Sequence, residues 1–401
     1  MIRVGFVPPS GEQGWLGGIS YFRNLFRALE RSATGVLQPV AFVGGDADAK
    51  LFADFPSVEL VRSTLVSRGS LRSWVRRVGI RLAQRDHLLC ELLRKHQVSV
   101  LSHSGHLGPG VDIPALGWIP DLQHLKLPEF FTSREIAART KLFHAYCRYC
   151  RLVIVSSFAA AGDLRSADAQ CTDKIRCLPF VADVPPPDEL PLHAELERKY
   201  DLGGRYVLLP AQFWAHKNHL VVVEALHRLK RKGEEVVVLA TGDYRDYRQP
   251  EHFAQLMARV RSADLEAEFR PLGVLPYGDV MGLMLNAAAV VNPSLFEGWS
   301  TTVEEAKSMG KRVILSDIPV HREQAPGRGL YFEPRDAEAL AYQLLSAVRS
   351  FDPIEEHDHQ LRARSELPTR QVEYARRFEE IVIEALTIGE RLQSNARSKA
   401  A

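Results

Sequence analysis

Cysteine is scarce in this chain. Five stand among 401 residues (Cys90, Cys147, Cys150, Cys171 and Cys177), an odd count without regular spacing. That excludes a disulfide-stapled scaffold, and free thiols are expected. Cys147 and Cys150 have the spacing of half a zinc site, which Cys171 and Cys177 could complete. They fall, however, in a helical pattern from about Ile136 to Cys150, where i, i+3 cysteines share one face and serve as small hydrophobes. Net charge is equally small, +2, too little for a general nucleic-acid binder. No window approaches ~18 consecutive apolar residues, so no membrane-spanning helix is expected. The apolar run at the N-terminus, Met1 to Pro9, is too short for a signal peptide and reads as a first core strand, so a cytoplasmic location is expected. No G-x-G-x-x-G dinucleotide fingerprint follows that strand, and no internal repeat stands out.

What is present is an ordinary globular composition, 46% hydrophobic and 25% charged, at a length that suits two domains. Each half alternates short apolar runs with longer helical patterns, the mark of parallel α/β sheets. Strands are expected at 3–7, 37–43, 99–102, 115–119 and 152–155. After the stiff Pro185-Pro186-Pro187 segment they are expected at 206–210, 235–241, 267–271, 289–291, 312–315 and 330–332. Helices are expected at 21–30, 219–231, 250–263, 277–287, 337–349 and about 369–394. The domains expected are 1–185 and 186–368, with 369–401 as a terminal helix and tail.

The densest concentration of chemistry is Asn292-Pro293-Ser294-Leu295-Phe296-Glu297-Gly298-Trp299-Ser300-Thr301-Thr302-Val303-Glu304-Glu305-Ala306. It reads as the end of a buried strand, a loop with Glu297 and Gly298, and a helix opening at Ser300 to Thr302. A helix N-terminus offers unpaired N–H groups and the positive end of a dipole, which favour a phosphate. Two carboxylates beside it suit sugar hydroxyls. A diphosphate with hydroxyls suggests a nucleotide sugar. The plainer alternative is that Thr301-x-x-Glu304 or Thr302-x-x-Glu305 is a capping box, in which the glutamate only satisfies the helix start.

The segment E-G-W-S-T-T-V-E-E-A resembles the E-x7-E motif, usually E-G-F-G-L-P-x-x-E-A, of retaining GT-B glycosyltransferases of family 4. It departs from that motif at Ser300 and at Thr301-Thr302. The resemblance implies a GT-B fold: two Rossmann-like domains facing across a cleft, with a C-terminal helix crossing back to the first. It further implies transfer of a hexose from a nucleoside diphosphate sugar to a hydroxyl of a glycan or lipid-linked acceptor. Glu297 would hold donor-sugar hydroxyls, Glu305 the ribose, and the backbone of Gly298, Trp299, Ser300, Thr301 and Thr302 would border the diphosphate. Lys217, in Gln212-Phe213-Trp214-Ala215-His216-Lys217-Asn218, matches the lysine of the family's basic pair, with Gln212 and His216 where arginine is usual. Gly17 and Gly18 resemble the glycine loop facing the diphosphate from the first domain. Gly242 and Val274 fall at strand ends that line the nucleotide pocket. In the first domain Asp121 matches a His-Asp-Leu motif whose histidine is replaced by Pro120. His124 is the nearest other candidate for the reacting centre, with His103 and His106 competing. No metal and no resident cofactor are expected, since Lys217 and the helix dipole can stabilise the leaving diphosphate and no Asp-x-Asp triplet is read as a metal site. Mannose is the sugar the Lys217-Asn218 pair suggests. Two other readings stay open, a non-catalytic nucleotide-sugar scaffold and a GT-B nucleotide-sugar epimerase.

One stretch is compositionally apart. Between Val61 and Gln97 nine Lys/Arg face Asp86 and Glu91, a balance of 9 − 2 = +7. Within it Leu71, Trp74, Val75, Val78 and Leu82 recur at helical spacing, so peripheral contact of the 62–95 region with the inner membrane face is a companion expectation. Its rival is a helix that packs this stripe on the first domain and shows its arginines to water.

Overall fold

The structure is a computed structural model that describes residues 1–9, 16–32, 34–45, 49–67 and 69–400, with side chains described except at 16 and 390–400. It divides into two compact units. The first comprises 1–122, 137–181 and 368–401; the second comprises 123–136 and 182–367.

The first unit is built on strands β1 (Ile2–Phe6), β2 (Leu37–Val43), β3 (Glu59–Arg62), β4 (Val100–Ser102), β5 (Ala115–Ile119), β6 (Leu152–Val155) and β7 (Ile175–Cys177), in the order β3-β2-β1-β4-β5-β6-β7. Every pairing is parallel. The central strands are buried on both faces, as parallel sheets covered by helices require, which is why they read as unbroken apolar runs. The two outer strands were not anticipated. Glu-Leu-Val-Arg and Ile-Arg-Cys are short and carry charge, as edge strands do, so they give little hydrophobic signal. Cys147, Cys150 and Cys171 lie in the core beside Val153 and Leu164, and none of the five cysteines is in a disulfide.

The second unit carries β8 (Tyr206–Pro210), β9 (Val237–Thr241), β10 (Phe269–Gly273), β11 (Ala289–Asn292), β12 (Val313–Ser316) and β13 (Gly329–Phe332), again all parallel, in the order β10-β9-β8-β11-β12-β13. Each unit is thus Rossmann-like. The segment 123–136, expected with the first domain, groups with the second unit. Arg248 holds it there: its guanidinium lies 4.8 Å from the ring centres of both Phe131 and Trp214 and donates to Gln123 Oε1 at 3.2 Å.

The last helix is longer than expected, running unbroken from Pro353 to Ala400 with Pro368 inside it. Pro368 lacks the N–H that a helix interior uses, and it marks where the helix changes units. Before it, Glu356 pairs with the fully buried Lys311 and, at 2.6 Å, with Arg328. After it, Tyr374, Phe378, Ile381, Val382 and Ala385 are buried at helical spacing, and the Phe378 ring lies 6.1 Å from Phe6.

Candidate functional site

In the second sheet the strand order reverses between β8 and β11, which pair directly through Val207–Ala289 and Leu208–Val290. Connections leaving the carboxyl ends of two such strands diverge, and the crevice between them is where open α/β sheets take ligands. The loop after β8 carries Lys217 and the loop after β11 carries Glu297. Leu295 N–H donates to the His216 carbonyl at 2.8 Å, tying the two loops together. Asn218 adopts a left-handed conformation, φ 57°, that asparagine tolerates. Its Nδ2 donates to the carbonyls of Pro293 and Pro334 at 3.1 and 2.8 Å.

Held this way, Lys217 Nζ donates to Glu297 Oε1 at 2.6 Å, and Ser294 Oγ donates to the same oxygen at 2.7 Å. Burial alone would raise the Glu297 carboxyl. The Lys217 charge and these hydrogen bonds outweigh it and bring the pKa down to about 2, so the carboxylate stays ionised. His216 is buried, and desolvation together with the Lys217 charge holds its pKa well below the ordinary value. The fixed positive charge at this loop is therefore Lys217. Gln212, at the other position where arginine is usual, bends the loop by accepting from Trp214 N–H through its carbonyl at 2.7 Å.

The helix after the Glu297 loop is Thr301–Ser308, and Ser300 is its N-cap, accepting from Val303 N–H at 3.3 Å. The third helical position is Val303, so neither Glu304 nor Glu305 stands where a capping box needs a carboxylate. That alternative is overturned. Ser300 is itself braced by Asn292 Nδ2 at 2.8 Å and by Gln324, which exchanges bonds with its N–H and carbonyl at 3.2 and 3.0 Å. Thr302 Oγ1 donates to the Pro210 carbonyl at 3.0 Å, joining the helix start to the end of β8.

Glu305 is buried one turn into this helix and accepts from the Tyr277 hydroxyl at 3.0 Å. Burial raises its pKa to about 7, only partly offset by that hydroxyl. Two further strand ends close in. Gly242, at the end of β9, has φ 149°, and a Cβ there would stand 2.4 Å from the Ala211 carbonyl oxygen, so the backbones meet only because the residue is glycine. Its N–H donates to the Gly273 carbonyl at 2.9 Å. Val274, next in chain, is 67% exposed. Gly298 and Trp299 are half-buried beside Glu297, and Thr301 is the first helical residue.

The residues anticipated in the first half are not gathered in this way. Gly17 and Gly18 lie in the first turn of the helix Leu16–Ser32 rather than in a loop; Gly14 and Trp15 lie outside the described residues. Asp121 belongs to the first unit, where Arg139 Nη1 is 3.8 Å away. His124 belongs to the second, is 3% exposed, and sits edge-on to Phe131. The short helix there begins at Gln123, so Asp121 is not on it. His103 bonds Tyr21 Oη at 2.7 Å and Ser102 Oγ at 2.8 Å inside the first unit's core, and burial holds its pKa down at about 3. The chain does contain one Asp-x-Asp triplet, Asp46-Ala47-Asp48, outside the described residues. Among the described residues no group of three His, Cys, Asp or Glu side chains could hold a metal ion.

Sequence reasoning missed Tyr277, Ser294 and Gln324. Only Ser294 had a signal, its place three residues before Glu297 in the same loop.

Two Rossmann-like units of all-parallel strands define an α/β protein of the GT-B class. Residues 196–366 match the family model of glycosyl transferases group 1. The chain is also 25% identical over 253 residues to O-antigen chain mannosyltransferase B of Escherichia coli. That alignment covers 60% of this chain and 64% of that protein, under two thirds of its length. Among solved structures, a glycosyltransferase from Rickettsia africae ESF-5 superposes with a TM-score of 0.65 at 19% identity, covering 96% of this chain and 98% of that one. HepE from Anabaena, in complex with UDP and glucose, superposes at 0.61 and 17% identity, covering 98% and 100%. The lipopolysaccharide outer core galactosyltransferase WaaB, in apo form, superposes at 0.58 and 15%, covering 96% and 99%.

Proposed function

We propose that this protein is a retaining glycosyltransferase that moves a hexose from a nucleoside diphosphate sugar to a hydroxyl of a glycan or lipid-linked acceptor. The observation that carries the proposal is the Lys217–Glu297 pair set at the β8/β11 switch point beside the N-terminus of the Thr301–Ser308 helix. A lone anion site needs no carboxylate. A pair of opposite charges suits a ligand that brings phosphate and hydroxyl donors together. In this reading Lys217 and the helix N-terminus receive the diphosphate, Glu297 the sugar hydroxyls and Glu305 the ribose.

The bond from the sugar's anomeric carbon to the diphosphate oxygen breaks, and a bond from that carbon to the acceptor oxygen forms. The acceptor proton passes to the leaving phosphate. Charge develops on the diphosphate, where Lys217 and the helix N-terminus stand ready for it. The donor is a co-substrate, and the reading asks for no resident metal or cofactor. Asp121 and His124 remain the proposed first-half candidates near the acceptor, and Gly17 and Gly18 the candidates near the diphosphate.

Mannose is the first sugar to test, since the Escherichia coli relative is an O-antigen chain mannosyltransferase. A thermal-shift screen with UDP-, GDP-, ADP- and dTDP-sugars, followed by donor hydrolysis, tests the reading. One donor family raises the melting temperature and is turned over. A donor that binds but is never turned over, with or without acceptor glycans, assigns the site to a scaffold instead.

A further inference from the structure

The helix Leu71–Ala83 is mounted in reverse on the first unit. Leu71, Trp74, Val75, Val78 and Leu82 recur at i, i+3, i+4, i+7 and i+11, a single stripe. On an ordinary surface helix that stripe faces the core. Here Leu71 is 76% exposed, Trp74 56%, Val75 46% and Leu82 83%. The inward side instead holds Ser73, the helix's buried residue, and Arg76, whose guanidinium meets the buried Asp86 at 2.7 Å. Asp86 in turn caps the next helix, His87–Lys95, by accepting from Leu89 N–H at 3.1 Å. The reversed mounting is thus fixed by a buried ion pair. With Arg76 engaged, Arg72, Arg77 and Arg81 stand exposed around the stripe, and the helix contains no acidic residue.

We infer that this helix is an interfacial anchor that lays Leu71, Trp74, Val75 and Leu82 into an anionic bilayer surface while Arg72, Arg77 and Arg81 pair with its lipid headgroups. Contiguous exposed apolar side chains mark an interaction surface. An apolar stripe rimmed by arginine, on a helix too short and too charged to span, is the pattern that lies in the interface plane. A second copy of the chain is the poorer occupant, because a two-fold contact sets a patch against itself and would bring arginine against arginine. No described helix is long and apolar enough to cross a membrane, so attachment through this face is peripheral. The inference does not depend on the transferase reading and survives if no donor is found.

The test is co-sedimentation of the full chain with vesicles of phosphatidylcholine alone or with about one third phosphatidylglycerol, at low and high salt. Retention is expected on the anionic vesicles and is expected to fall with salt. Replacing Arg72, Arg77 and Arg81 by alanine lowers partitioning roughly 100-fold, about five-fold for each arginine. Trp74→Ser with Leu82→Ser lowers it by roughly ten-fold or more. These side chains face solvent, so the melting temperature of both variants stays at the parent value, which separates lost binding from unfolding. Absence of retention on anionic vesicles overturns the inference, as does retention that neither variant changes. So does a dimer in sedimentation velocity that Trp74→Ser dissociates while vesicles are ignored.

Discussion

Glu297 and Glu305 are separated by eight positions and live in opposite electrostatic worlds. Glu297 sits in a loop against a lysine and a serine hydroxyl, and its carboxyl is held down at about 2. Glu305 sits inside a helix with the Tyr277 hydroxyl as partner, and burial lifts its carboxyl to about 7. Burial pushes both the same way; only one has a cation to answer it. The first is a permanently charged group and the second a group that changes state near neutrality. On the proposed function, two carboxylates of one motif thus meet a ligand differently, one as a fixed acceptor and one whose ionisation the ligand itself can shift.

Removing the cation is the most forceful way to break this contrast. Lys217→Ala is expected to lower turnover of the donor by about 100-fold or more and to cost about 3 kcal/mol of stability, because Glu297 is left charged with only the Ser294 hydroxyl to answer it. Adding Glu297→Gln should restore much of the melting temperature but none of the turnover. If the single variant melts like the parent, the pair does not hold Glu297 as described.

Glu305→Ala is expected to weaken donor binding roughly 10- to 100-fold by titration calorimetry, the worth of a hydrogen bond to a charged acceptor. Glu305→Gln sharpens the comparison through pH. A carboxyl whose folded pKa is raised from 4.5 to about 7 keeps its proton in the folded state while the unfolded chain has lost it. Stability therefore declines as pH rises through that window. The glutamine variant is free of this loss, so it should gain on the parent by about 3 kcal/mol between those limits and level off above them. An unchanged pH profile would mean that Glu305 titrates normally.

Gly242→Ala tests the frame rather than the charges. The added Cβ would stand 2.4 Å from the Ala211 carbonyl oxygen, and a loss of about 1–3 kcal/mol is expected in denaturant melts, together with weaker donor binding. Tyr277→Phe should have the smallest effect, about 1 kcal/mol, and should move the Glu305 titration upward, since the hydroxyl is what restrains it.

The second unit's framework was largely legible because its strands are buried on both faces and its chemistry lies in continuous loops. What periodicity does not carry is direction and partnership. The stripe Leu71 to Leu82 is plain in the sequence, but which side of the helix meets the protein is decided by Arg76 and Asp86, ten residues apart and unremarkable in composition. The run Ser300-Thr301-Thr302 offers three residues able to cap, and only the bracing of Ser300 by Asn292 and Gln324 selects one. Tyr277 comes to Glu305 from a helix 28 positions upstream in the chain. The grouping of 123–136 with the second unit rests on Arg248, more than a hundred positions distant in sequence. Short charged strands such as β3 and β7 gave little for the pattern to catch.

The bond between Lys217 and Glu297 also makes the proposed site a two-key lock. The lysine is already answered, so a bare anion that draws it away leaves a buried carboxylate with the Ser294 hydroxyl but no cation, and bears the cost of that loss. A ligand that brings hydroxyls for Glu297 along with phosphate for Lys217 turns both keys together. On the proposed function, selectivity against free phosphate is built into this pair of charges, before any part of a sugar is recognised.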